Sequence, residues 1–132
     1  MDLKVFTYAD IMEYGPCFDP ASRGYCGIDW SGTVLDVLKS AAVTNEHKAW
    51  LVCQDSSLIP NSVSRIFIER MCQMSGNMDA LNHMLARRGD ICDNLWESIA
   101  DYAWSQSTPF ERGLDLPLEL LTSLLEWWVK AS

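Results

Sequence analysis

The sequence predicts an all-α fold: a single compact domain of about six or seven short helices. Three observations point to it. Apolar residues recur at steps of three and four along most of the chain, the period of one helical face. No stretch sustains the alternation of a half-buried strand. Pro and Gly fall between the periodic segments, where helices start and stop. A chain of 132 residues with 48% hydrophobic content is one domain able to bury its own core. Within residues 1–132 the order is an N-terminal helix and ordered loop (1–32), central helices (33–89) and acidic C-terminal helices (90–132).

Thr7 is suited to cap a brief helix over Tyr8–Tyr14, which Gly15-Pro16 ends. Cys17–Gly32 carries turn signals at Asp19-Pro20, Gly24 and Gly27, and predicts an ordered loop pinned by Phe18, Tyr25, Ile28 and Trp30. Such a loop either holds a function or simply closes one end of the core. Thr33–Val43 predicts a helix with Val34, Leu35, Leu38 and Ala42 on one side. Asn45 is the expected cap of the next helix, Glu46–Gln54.

Pro60–Met74 predicts the central core helix. Val63, Ile66, Phe67 and Met71 share a face, which Ile68 and Cys72 widen. Pro60 suits a first turn and Gly76 a left-handed end. Met78–Arg88 follows as a helix with Met78, Leu81, Met84 and Leu85 inward and His83 solvated, ended by Gly89. Asp90 caps Ile91–Gln106, whose inner face is Ile91, Leu95, Ile99 and Tyr102. Thr108–Asp115 is a turn region. Leu116-Pro117 opens a last helix with a broad stripe of Leu120, Leu121, Leu124, Leu125, Trp128 and Val129.

The net charge of −8 disfavours direct binding to nucleic acid or to an anionic membrane, which need a positive field. The charge is uneven: residues 1–59 carry −4, residues 60–89 carry +2 and residues 90–132 carry −6. No apolar run approaches the roughly 20 residues of a membrane span. The start MDLKVFTYAD lacks the apolar core of a secretory signal. With five Cys in no paired spacing, reduced thiols in a cytoplasmic protein are the simplest account.

No metal or other cofactor is expected. Cys17 and Cys26 are nine apart, and Glu46-His47 before Cys53 has no zinc spacing. No Cys or Ser sits in a nucleophile signature, so no catalytic residue is assigned and the chain is not expected to be an enzyme. A small enzyme with its site in the Cys17–Trp30 loop is the weaker alternative. Six Trp is a high count for either core or binding hot spots.

Two features point to partner binding. Asp90, Asp93, Glu97 and Asp101 fall at steps of three and four, opposite Ile91, Leu95 and Ile99. A row about 6 Å apart along a helix can occupy a basic groove in place of phosphates, or can simply be a solvated face. Trp127 and Trp128 exceed what one narrow stripe needs. They either close the core or form a patch for a homodimer or another partner.

The stretch GPCFDPASRGYCGIDWSGTVLDVL, then KAWLVC, then SRIFIERMCQ, resembles a group of small phage and prophage proteins of unassigned activity. Cys17, Phe18, Asp19, Pro20 and Arg23 match a C-[YF]-D-P-x-R block. Asp29, Trp30, Gly32, Thr33, Leu35, Asp36 and Leu38 match D-W-x-G-T-x-L-D-x-L. Lys48, Trp50, Leu51 and Val52 match a third block, and Arg65, Phe67 and Cys72 a fourth. The match spans residues 8–74; the group's N-P-D-P-R-S motif and alanine-rich tail are not present. Locally, Asp29–Thr33 makes a loop-to-helix junction, with Thr33 or Ser31 as cap, Gly32 where a side chain would block the backbone, and Trp30 as a staple onto Val34 or Leu35.

The resemblance implies a helical fold of mobile-element origin. With the acidic third, the expected function is an inhibitor: a phage-derived protein that binds a host protein or complex with a basic surface, such as a CRISPR-type defence effector. An assembly protein, a helical homodimer built through Leu116–Val129, is the alternative.

Overall fold

The computed structural model describes residues 2–76, 78, 79, 82 and 91–131. In order, the elements are β1 (Phe6–Thr7), α1 (Tyr8–Glu13), β2 (Ser31–Gly32), α2 (Val34–Leu38), α3 (Asn45–Val52), α4 (Asn61–Ser75), α5 (Ile91–Ser105), α6 (Phe110–Gly113) and α7 (Asp115–Lys130). The chain is all-α apart from one minimal antiparallel ladder, Phe6 opposite Gly32 and Thr7 opposite Ser31. Of the helix expected over Met78–Arg88 only Met78, Asp79 and Asn82 are described; all three are helical, and Met78, expected inward, is exposed. The rest of that helix, the solvated His83 and the cap at Asp90 lie outside the described residues.

Helix α4 is the centre. It turns Val63, Phe67, Ile68, Met71 and Cys72 inward and packs most extensively on α5, then on α7. Phe67 and Met71 have no exposed surface, and burial of side chains that size contributes about 1.5–3 kcal/mol each. Ile66, expected on the inner face, is only half-buried, and Ser64 is buried in its place. Pro60, expected inside the first turn, stands just before α4, where its carbonyl accepts the Ser64 N–H at 3.0 Å, and Gly76 ends the helix at φ 71°, a left-handed conformation that side chains disfavour. On α5, Leu95, Ile99 and Ala103 face the core. On α7, Leu118, Leu121, Leu124 and Leu125 do so.

The local signals at the N-terminal end hold. Thr7 and Asp10 form a reciprocal cap on α1: the Thr7 N–H donates to Asp10 Oδ2 at 2.9 Å and Thr7 Oγ1 accepts the Asp10 N–H at 3.2 Å. Asp36 likewise accepts the Thr33 N–H at 2.8 Å, on the first turn of α2. Gly32 is required by packing: a Cβ there would meet Asp36 Oδ2 and Trp30 Cζ2 at 2.7 Å each. Trp30 packs edge-on against Phe6, ring centroids 5.2 Å apart, and so joins the ladder to the core.

Three boundaries differ from expectation. The helix predicted over Thr33–Val43 ends at Leu38, because Ser40 turns the chain. Its N–H bonds to Val37 O at 3.1 Å and its hydroxyl accepts the Ala42 N–H at 3.3 Å. The cap of α3 is Thr44, not Asn45; its hydroxyl accepts the His47 N–H at 3.3 Å. The turn region before the last helix contains α6.

Asp55 ties the ends of the N-terminal half together. It accepts from the Ser57 N–H and hydroxyl, from Lys4 Nζ at 3.2 Å and from the Tyr14 hydroxyl at 3.3 Å. The Ser57 N–H and hydroxyl, then Lys4, hold its carboxyl down to about 2. Across the molecule, Glu111 caps α3. Its two carboxylate oxygens accept the Asn45 N–H at 2.6 Å and the Glu46 N–H at 2.9 Å. A carboxylate at a helix N-terminus satisfies donors that the helix cannot and opposes its dipole.

Charge-assisted bonds of this kind contribute roughly 1.5–3 kcal/mol. Glu111→Ala should therefore lower stability by about that amount in urea unfolding, with the folded circular dichroism spectrum retained. A loss below about 0.5 kcal/mol, the range of an ordinary surface substitution, would show that solvent replaces the cap.

Candidate functional site

The acidic row is built by α5. At the 3.6-residue period its buried arc runs through Cys92, Asn94, Leu95, Ser98, Ile99 and Ala103, which leaves Asp93, Glu97 and Asp101 together on the outer arc. Asp93 and Asp101 are exposed and Glu97 is half-buried. The fourth member of the predicted row, Asp90, lies outside the described residues. The row's field reaches the core. The Cys72 thiol is pushed up by burial first, then by Asp101 and Glu97. The Cys53 thiol is pushed up to about 12 by burial first, then by Cys92 and Asp93.

The same outer arc carries two tryptophans that the sequence reading missed. Trp104 is 72% exposed and Trp96 is 42% exposed. Phe110, at the start of α6, holds them: it stacks on Trp104 at 4.8 Å and 27°, and meets Trp96 edge-on at 6.4 Å. Gly113 permits this. A Cβ at Gly113 would meet the Ala103 carbonyl oxygen at 2.8 Å, so α6 can approach α5 closely only with glycine there. The available signal was spacing, since Trp96 and Trp104 are eight apart and interleave with Glu97 and Asp101.

The predicted pair on α7 splits. Trp128 is half-buried and packs on the core, whereas Trp127 is 57% exposed. Other acids of the C-terminal third serve the fold: Glu111 caps α3, Asp115 accepts from the Asn45 side chain, and Glu126 pairs with Lys39 at 3.3 Å.

The Cys17–Trp30 loop is ordered as expected, but not by Ile28, which is 71% exposed. Asp19 organises its first half. The Tyr8 hydroxyl donates to it at 2.7 Å, the Ala21 N–H at 3.0 Å and the Ser22 hydroxyl at 3.1 Å. The Tyr8 bond, before the others, holds the Asp19 carboxyl low. Both halves dock on α3. Phe18 stacks on His47 at 3.8 Å and 17°, and the Tyr25 hydroxyl shares a 2.6 Å hydrogen bond with His47 Nδ1. Arg23 lies 5.6 Å from the Phe18 ring centroid.

Burial, then the Asp19 charge, pushes the Cys26 thiol up, so it stays protonated near neutral pH. Among the described residues, no group of three His, Cys, Asp or Glu is placed to hold a metal ion.

Burial first, and Arg23 second, lower the His47 pKa from 6.5, against the opposite pull of Glu46 and Glu111. The native state thus holds fewer protons than the unfolded chain between that lowered value and 6.5. The stability His47 contributes is present above 6.5 and is lost as pH falls through the lowered value. His47→Phe should flatten that part of a stability–pH profile measured by urea midpoints. Parent and variant profiles that run parallel there would remove His47 as the titrating group.

Compared with protein-family models, curated proteins and solved structures, the chain matches none.

Proposed function

We propose that the chain is a non-catalytic, acidic protein-binding module, and that the outer face of α5 is its binding surface. The observation that carries this is Trp104: mostly exposed, yet fixed on Phe110 beside Asp93, Glu97 and Asp101. An exposed indole held rigid by stacking loses little conformational freedom on binding, as a hot-spot anchor requires. Carboxylates flanking aromatic rings suit Arg and Lys, which pair with the former and lie over the latter. The partner is accordingly a basic surface of another protein. Among the described residues no helix is long and apolar enough to cross a membrane.

The phage-type resemblance of residues 8–74 makes a host protein complex the natural partner, and inhibition of a nucleic-acid-handling defence complex in the host cytoplasm the natural consequence. An acidic face of about 6 Å spacing competes for a groove that otherwise holds phosphates.

Pull-down from host lysate with mass spectrometry tests this. Relative to the parent, Asp93→Lys/Glu97→Lys/Asp101→Lys and, separately, Trp104→Ala should each reduce capture of the same basic partner at least tenfold. Capture by the parent should also weaken as salt rises. Unchanged capture by the triple variant would eliminate the acidic face.

A second reading has one observation in its favour. Leu116 and Trp127 lie exposed along the same side of α7, with half-buried Leu120 between them. This narrow apolar stripe suits a homodimer. Sedimentation at micromolar concentration should then give a dimer that Trp127→Asp converts to a monomer. A monomeric parent eliminates this reading.

A further inference from the structure

The docked loop leaves a cavity of about 210 Å3 between itself, α2 and α3. Its walls are mainly rings: Phe18, Tyr25, Trp30, His47 and Trp50. Val37, Val43 and Leu51 add aliphatic surface. Many of these residues are half-buried, so the space communicates with solvent. This cavity is remote in sequence from the acidic face and serves no role in the binding function argued above.

The lining fixes the class of ligand. It contains no Lys or Arg. Its single carboxylate, Asp36, is already the acceptor for the Thr33 N–H at the start of α2. An anion would meet that carboxylate, and Arg23, 5.6 Å from the Phe18 ring centroid, is not part of the lining. Polar contact is available from Ser40, the Cys26 thiol and the hydrogen-bonded Tyr25–His47 pair. A cavity of about 150 Å3 with apolar walls stays dry and accepts benzene. One of 210 Å3 has room for a second fused ring. Ring walls favour ring ligands, because offset-stacked and edge-on aromatic contacts add to area burial.

The walls are also held in place without a ligand. Phe18 is stacked on His47, Tyr25 is hydrogen-bonded to His47, and Trp30 is packed on Phe6. A pocket so braced binds without first being ordered, which avoids a cost that flexible sites incur.

We propose that this cavity is a binding site for a small, uncharged, planar aromatic molecule of one or two fused rings. Indole is the probe. Titrated into the full chain and followed by two-dimensional amide NMR, it should give saturable shifts largest at Tyr25, Val43, His47 and Trp50. It should also raise the melting temperature, with a shift that grows logarithmically with free indole above its dissociation constant.

Val43→Phe, which fills the space, should weaken indole at least tenfold. Where Val43→Phe fails to match the parent's melting temperature without indole, Val37→Phe takes its place with the same expected loss. Tetramethylammonium and indole-3-acetate should each bind at least tenfold more weakly than indole. No saturation up to the solubility limit of indole, equal affinity in the filled variant, or tighter binding of tetramethylammonium or indole-3-acetate would each overturn the assignment.

Discussion

One carboxylate couples the two ends of this molecule. Glu111 sits in α6, and its oxygens close the first turn of α3, some 65 residues earlier in the chain. The Asn45 side chain returns the contact by donating to the Glu111 carbonyl oxygen at 3.0 Å. Both surfaces with chemical character are adjacent to this clasp. Phe110, the neighbour of Glu111, carries Trp104; His47, one residue beyond Glu46, carries Phe18 and Tyr25. The four orphan N–H groups of a helix start must find partners somewhere. Here the partner sets the relative position of the docked loop and the aromatic face.

The clasp also divides the acidic third by role. Glu111, Asp115 and Glu126 face partners within the fold. Asp93 and Asp101 are exposed on the outer arc of α5, and among the described residues neither takes part in an ion pair. Net charge alone cannot make this distinction, because it counts a carboxylate the same whether it caps a helix or faces solvent. Geometry makes it, by placing one group against backbone donors and the other beside exposed indoles.

The parts legible in the sequence are those whose cause lies within about one helical turn. The inner face of α4 follows from periodicity, its end at Gly76 from the tolerance of glycine for positive φ, and the starts of α1 and α2 from Thr and Asp three residues apart. The acidic row was legible for the same reason. What sequence could not give depends on distant chain. Asn45 has the composition of a cap, yet Thr44 and Glu111 do the capping. The helix expected over Thr33–Val43 stops at Leu38, where a serine offers the backbone another set of bonds. Trp96 and Trp104 look like core residues by type, and only the approach of α6 over Gly113 shows that they are mounted on the surface.

That mounting joins two kinds of side chain on one face. A large apolar ring left in water is unfavourable unless something covers it, and a solvated helix face does not need two of them. Trp104 stacks on Phe110, and the position of Phe110 depends on a close approach of α6 to α5 that glycine at 113 permits. Asp93, Glu97 and Asp101 follow one another at four-residue steps on the same arc, a spacing at which like charges cost a few tenths of a kcal/mol per adjacent pair. One outer arc of α5 thus brings together an indole stacked on Phe110 and the carboxylates Asp93, Glu97 and Asp101.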